Sequence, residues 1–239
     1  MQNINNKVAL ITGGSKGIGL GIAEAMVKEG MKVAITSRSE GSAEQAAEYL
    51  NNLKSGSAIG IEADVTSFQA QEESIKKVIS AFGQLDVLIA NAGVGHFAPI
   101  ESLSIEQWQQ TIDINLTGVF YSVKAALPAL KKSKGYFISI ASLAGTNFFA
   151  AGAAYNASKF GLVGFTQAVM LDLRQQGIKV STIMPGSVAT EFNNRTVSNA
   201  DAWKIQPEDL GQITVDLLKM HPRTLPSKVE VRPSMPPKR

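Results

Sequence analysis

Cysteine is absent from the 239 residues, so disulfides and cysteine-ligated metal are excluded, and no metal site is expected. No run of 18 apolar residues occurs, which leaves no candidate membrane helix. The opening "MQNINNKVAL" lacks the charged and apolar regions of a signal peptide, and the expectation is a soluble, cytoplasmic protein. Internal repeats, low-complexity linkers and composition shifts that would mark a domain boundary are missing too. The net charge is only +3, and from Lys219 onward six basic residues face one acid, Glu230, leaving residues 1–218 at −2. The basic excess therefore sits in the tail rather than on a groove-sized face, and nucleic acid is not an expected partner. The cluster "KKSK" (131–134) reads as a helix end, where cations complement the dipole.

What is present suffices for one large α/β domain, since a 44% hydrophobic fraction over this length can bury a sizeable core. Apolar strands are read at 7–12, 32–37, 57–63, 86–90, 135–141 and 179–184, with a last strand at 227–233. Helical segments separate them: one ending near 28–30, one at 39–53 with Ser39 as N-cap, and others at 67–82, 104–131, 153–176 and 208–220. Strands apolar throughout, alternating with longer helices, imply parallel pairing and a doubly wound sheet with helices on both faces. The reading is a single domain over 1–233, followed by a basic flexible tail at 234–239.

"TGGSKGIG" (12–19) joins the first strand to the first helix, the setting that a dinucleotide-binding turn of Rossmann type requires. Gly13 permits the tight turn, Gly17 lets the backbone approach a pyrophosphate, and Gly19 allows close helix–strand packing. The helix N-terminus offers free N–H groups to the phosphates. An NAD site wants a carboxylate at the end of the second strand, and Ser37 stands there instead, followed by Arg38. Arg38 suits a 2′-phosphate by bidentate contact and Lys16 adds a second cation, while Glu40 falls in the first turn of the next helix and serves capping. NADP(H) is the expected cofactor.

Tyr155 and Lys159, in "AYNASKFGLVGF" (154–165), would stand one helical turn apart on one face. With four tyrosines and 17 lysines in the chain, such a pair arises somewhere by chance about one time in four. Its company decides. The turn at 12–19, Asp64 after the third strand, "NAG" at 91–93, Asn115, Ser142 thirteen positions before Tyr155, and Pro185-Gly186 with Thr190 fall in a fixed order and spacing. Over nearly its whole length the chain resembles the short-chain dehydrogenase/reductases. Within them it is similar to ketoacyl-carrier-protein reductases and small carbonyl or hydroxy-acid dehydrogenases.

The resemblance implies an oxidoreductase moving a hydride between NADP(H) and a carbonyl or secondary alcohol. It makes Tyr155 the general acid and base, with Ser142 orienting the substrate oxygen. Lys159 would lower the phenol's pKa and hold the nicotinamide ribose, and Asn115 would hold a water between Lys159 and solvent. An ammonium about 4 Å away at an effective dielectric of about 20 is worth roughly 4 kcal/mol, enough to bring a phenol down from about 10 towards neutrality. Ser15, Lys16 and Ile18 would line the phosphate turn. Asp64 and Val65 would meet the adenine, Asn91, Ala92 and Gly93 the adenosine ribose, and Pro185, Gly186, Val188 and Thr190 the nicotinamide.

Substrate selectivity falls to loops at 94–99, 144–153 and 187–204, where Phe148, Phe149, Phe192 and Trp203 suggest an apolar wall and His96 a polar contact. The chain departs from the ketoacyl reductases at its end, where "SKVEVRPSMPPKR" replaces their "VDGG" segment. That ending is similar to the small hydroxy-acid and serine dehydrogenase branch, and it counts against an acyl-carrier-protein substrate and against the usual tetramer contact. The helices at 104–131 and 153–176 resemble the family's dimer-forming pair, with Ala153, Ala157 and Gly161 allowing close approach, so a homodimer or homotetramer is expected. The alternative to an enzyme is a non-catalytic NADP(H)-binding protein or redox sensor, which has no physical need for Ser142, Tyr155, Lys159 and Asn115 together.

Overall fold

The computed structural model describes residues 2–236. Strands β1 (Val8–Thr12), β2 (Lys32–Ser37), β3 (Ala58–Glu62), β4 (Val87–Ala90), β5 (Tyr136–Ile140), β6 (Lys179–Pro185) and β7 (Lys228–Val231) form one sheet. Their order is β3-β2-β1-β4-β5-β6-β7, and every neighbouring pair is parallel. The central strands β1, β4 and β5 are buried throughout because both faces are covered, while the edge strand β7 alternates exposed and half-buried residues. Along β1, Val8 and Leu10 enter one core while Ala9 and Ile11 enter the other, the two-residue period of a strand. Helices α1 (Gly17–Lys28), α2 (Glu40–Leu53) and α7 (Pro207–Lys219) close the Ala9 face. The opposite face is closed by α3 (Phe68–Phe82), α5 (Gly118–Ser133) and α6 (Ala153–Leu173).

The segment at 104–131, read as one helix, is divided. It runs as α4 (Ile105–Ile112), a π-helical turn over Asp113–Thr117, and then α5. α6 likewise ends in a 3₁₀ turn at Arg174–Gln176. Ser39 stands at the start of α2 but its hydroxyl makes no capping bond, and its own N–H donates to Ser37 Oγ at 3.3 Å. Ser67 does cap α3, accepting from the Ala70 N–H at 3.2 Å, and Gly83 ends that helix in the left-handed region at φ 82°. Lys131 and Lys132 lie in the last turn of α5, where cations meet the carbonyl end. No helix among the described residues is long and apolar enough to cross a membrane. Of the tail expected at 234–239, residues 237–239 lie outside the described residues.

The strand order positions the site. From β1 the chain winds outward through β2 and β3, then returns to the other side of β1 as β4 and continues through β7. At such a reversal the loops leaving neighbouring strands diverge to opposite faces, and a crevice opens at the carboxyl ends of β1 and β4.

Candidate active site

Two loops are stapled together at that crevice. Thr12 Oγ1, at the end of β1, accepts from the N–H groups of Asn91 and Ala92 after β4 at 3.1 and 3.2 Å. Asn91 returns the contact, donating through Nδ2 to the carbonyls of Thr12 (3.0 Å) and Gly13 (2.8 Å). Gly13 takes φ 61° and Gly17 φ 55°, a region that favours glycine. A Cβ on Gly13 would lie 2.9 Å from the Ala92 Cα, so the two turns meet backbone to backbone. α1 begins with Lys16 at its cap, makes no side-chain capping bond there and has no acid in its first turn. Its leading N–H groups and positive dipole end are left for an anion.

These loops border a cavity of about 430 Å³. Every residue expected to meet the cofactor lines it except Gly19 and Asp64. Gly19 is packed beneath the turn, where a Cβ would lie 2.6 Å from both Asn91 Nδ2 and the Gly13 carbonyl. Asp64 turns away to accept from the Thr66 N–H and hydroxyl, each at 2.8 Å, and faces a shallow neighbouring hollow with Arg38. Only Val65 of that pair reaches the cavity. A phosphate-bearing nucleotide fits this end: the helix terminus is uncapped, the glycines offer bare backbone, and Arg38 and Lys16 supply cations. The wall also holds the Thr36 hydroxyl, a buried polar atom with no partner among the described residues. Lys16 Nζ lies 3.4 Å from Glu191 Oε2, and both residues line the cavity.

At the other end, Ser142 leaves β5 while Tyr155 and Lys159 project from successive turns of α6, and all three line the cavity. Lys159 is buried, and its ammonium donates to the Ile140 carbonyl at 3.1 Å. Burial pulls its pKa down to about 8. Tyr155 behaves unlike the reading from spacing. Burial pushes the phenol up from its ordinary value, and the Ser142 hydroxyl offsets part of that. The lysine does not lower it because the ammonium faces the β5 carbonyl and lies 5.8 Å from the centre of the tyrosine ring.

Asn115 is brought near but does not line the cavity. The π-helical turn aims its amide at the loop after β4, where it accepts from the Val94 N–H and donates to the Val94 carbonyl, both at 2.8 Å. Its other N–H meets Ser158 Oγ at 3.0 Å, and that hydroxyl donates to the Tyr155 carbonyl at 2.8 Å. Both amide donors are committed, and Oδ1, which among the described residues accepts only from Val94, keeps its second lone pair as the side chain's free position. Asn156, which the sequence did not single out, ties α6 to the loop after β5 through the carbonyls of Ala144 (2.7 Å) and Asn147 (2.8 Å).

An aromatic wall surrounds the phenol. Phe97 and Phe192 line the cavity with ring centres 5.3 and 6.0 Å from that of Tyr155, and Phe149 stands behind Phe97 at 5.8 Å. The other expected substrate residues are elsewhere. His96 Nε2 pairs with Gln110 Oε1 at 2.7 Å and does not border the cavity. Phe148 is 86% exposed and, like Trp203, does not border the cavity.

Over residues 7–201 the chain matches the short chain dehydrogenase family. It belongs to that family. The short-chain dehydrogenase is 35% identical over 194 residues to the trans-4-hydroxycyclohexanecarboxylate dehydrogenase of Sinomonas cyclohexanicum, an alignment spanning 79% of this chain and 75% of the relative. Among solved structures, an alcohol dehydrogenase from the archaeon Thermococcus sibiricus, complexed with 5-hydroxy-NADP, superposes with a TM-score of 0.90 at 29% identity, over 98% of this chain and 99% of that one. A 3-ketoacyl-(acyl-carrier-protein) reductase from Brucella melitensis, complexed with NADH, gives 0.88 at 25% identity over 97% and 98%. The protein is thus an oxidoreductase of the short-chain dehydrogenase family whose neighbours include both NADP-type and NADH complexes.

Several groups in this dehydrogenase's cavity escaped the sequence reading. Phe97 stands beside His96 in the 94–99 loop, and no pattern in the sequence marks it as inward-facing. Arg195 and Lys204 border the cavity from the 187–204 loop, with Glu191. The only signal for them was their place in that loop, since irregular backbone carries no period to say which side chains turn inward.

Proposed function

We propose that this short-chain dehydrogenase is an NADP(H)-dependent carbonyl reductase, reversible on secondary alcohols, with Tyr155 as its acid–base group. One observation carries the reading: Ser142, Tyr155 and Lys159 converge at one end of a cavity whose other end holds the glycine turn with Lys16 and Arg38. A nicotinamide cofactor bound along that cavity supplies the hydride. Tyr155 gives its phenolic proton to the substrate oxygen in reduction and takes it back in oxidation. Ser142 donates a hydrogen bond to the same oxygen and fixes its position. Lys159, whose ammonium is held on the Ile140 carbonyl, serves the other task the resemblance implies and holds the nicotinamide ribose. Phe97 and Phe192 exclude water around the phenol and strengthen these contacts by lowering the local dielectric.

The preference for the phosphorylated cofactor rests on Arg38 and Lys16 and on the absence of a carboxylate at position 37. The named substrate of the Sinomonas relative, a ring alcohol that also carries a carboxylate, supports a compact substrate. The reading extends to a homo-oligomer through α6, where Ala153 and Ala157 are exposed with Phe160 and Gly164, while Gly161, expected on this face, packs against Leu116. Light scattering on the purified protein tests that.

The deciding experiment follows NADPH absorbance across ketones, aldehydes and ketoesters, with Tyr155→Phe in parallel. The variant should lose about 10²–10⁴-fold in kcat while binding NADPH as before. Retention of more than about a tenth of wild-type turnover would overturn the acid–base role. Tight NADPH binding with no carbonyl reduced would favour a sensor.

A further inference from the structure

The charged side chains lining the cavity are five cations, Lys16, Arg38, Lys159, Arg195 and Lys204, against one carboxylate, Glu191. Three have tasks under the reading above. Arg195 and Lys204 have none. Both come from the loop that sets Phe192 against Tyr155, the end where a substrate's carbons would lie. The acids of this loop are already matched. Glu191 faces Lys16, and Asp201 pairs with Lys204 and accepts from the Ser198 N–H at 3.0 Å. Arg195 forms no ion pair among the described residues, although its charge, after that of Lys204, helps to hold the Asp201 carboxyl below its ordinary value.

Lys204 and the foot of the loop are also held in place, while Arg195 is exposed. Ile205, next to Lys204, donates to the Ser187 carbonyl at 3.1 Å and accepts from the Ala189 N–H at 2.9 Å, so the foot of the loop is pinned to the cavity floor. The Lys204 side chain is only 16% exposed and lies against the Trp203 ring. With Lys204 matched by Asp201, Arg195 is the surplus cation of this loop. Positive charge left over in a concave site concentrates anions, and a guanidinium matches a carboxylate bidentately.

We propose that Arg195, with Lys204 beside it, recognises an anionic group on the substrate. The substrate class is then a keto acid or its hydroxy acid, its carbonyl at Tyr155, its carboxylate at the 187–204 loop, and its carbons against Phe97 and Phe192. This inference rests on the reductase reading. The same cations could instead serve the pyrophosphate of the cofactor, and the test separates the two anions.

The probes are 4-oxocyclohexanecarboxylate and its methyl ester, one ring with and without the charge, assayed on the full chain with NADPH. The acid should exceed the ester in kcat/KM. Arg195→Ala should lower kcat/KM for the acid about tenfold to a hundredfold, through KM, with the ester and the NADPH Kd unchanged. Arg195→Lys should recover part of the loss, and Lys204→Met should act in the same direction. Equal losses on acid and ester, or a loss of NADPH affinity in Arg195→Ala, would overturn the proposal. Reduction of neutral ketones without preference for the acid overturns it too and leaves the reductase reading standing. If no carbonyl oxidises NADPH, the reductase reading fails. Calorimetric binding of the acid to the NADPH complex, lost in Arg195→Ala or unaffected by it, then decides for or against the anion site alone.

Discussion

Lys159 carries its ammonium into a buried position behind β5, where among the described residues only the Ile140 carbonyl accepts from it. The folded pKa of about 8 lies below the unfolded value, which is about 10.4. At pH 7 both states hold the proton, and folding bears the whole cost of burying it, on the order of 3 kcal/mol. As pH rises from about 8 towards 10.4 the unfolded state binds more protons, and the wild-type protein gains stability. Lys159→Met should therefore unfold at a higher temperature than wild type at pH 7, with the gap narrowing by pH 10. A gap that stays constant across that range would mean the lysine is not a buried charge. At the nucleotide end, Arg38→Ala combined with Lys16→Ala should reduce the NADPH-over-NADH affinity ratio about tenfold or more. Fluorescence titration checks it, and an unchanged ratio excludes both residues from cofactor choice. Ser142, Tyr155 and Lys159 were legible as a group because one helical turn fixes the distance between two of them. The direction of the tyrosine's pKa was not, because spacing shows neither where an ammonium points nor how deeply a phenol is buried.

The strands could be read to within about two residues because a parallel sheet buried on both faces writes itself as continuous apolar runs. The π-helical turn at Asp113–Thr117 left no such trace, since one additional residue per turn barely disturbs a helical pattern. Ser39 and Ser67 look alike as caps, yet only Ser67 makes the bond, and local geometry rather than residue type decides it. Loops 94–99 and 187–204 were legible as site loops while their inward side chains were not. The meeting of α1 and α7 is a further case. Gly21 reads as a weak point inside a helix, where alanine is normally better by roughly 1 kcal/mol. Here a Cβ would lie 2.6 Å from the Pro207 carbonyl carbon, and a Cβ on Gly211 2.5 Å from the Gly21 oxygen. The sign reverses. Gly21→Ala should destabilise by about 1–3 kcal/mol in urea unfolding, and a stabilised variant would show that the two helices can part freely.

On the scale of the molecule, the cavity draws on residues from Gly13 to Lys204, from loops on both sides of the sheet's midline. A ligand bound there holds the two halves together, so it should raise the melting temperature of the whole chain in one transition. At a hundred times its Kd, NADPH should add about 2.7 kcal/mol, on the order of 5–10 °C for a chain of this size. Calorimetry that resolves two transitions, only one of them moved by NADPH, would contradict this. The strand order has another consequence. Ala9 of β1 lies opposite Val87 of β4, a partner translated long after β2 has docked on the other side. At about 5–20 residues per second, β1 spends several seconds of synthesis with one edge of unpaired amides and carbonyls along Ala9, Leu10 and Ile11. Such an edge invites another chain. The reversal that opens the binding crevice in the finished protein is thus also what leaves the nascent one unfinished at its centre.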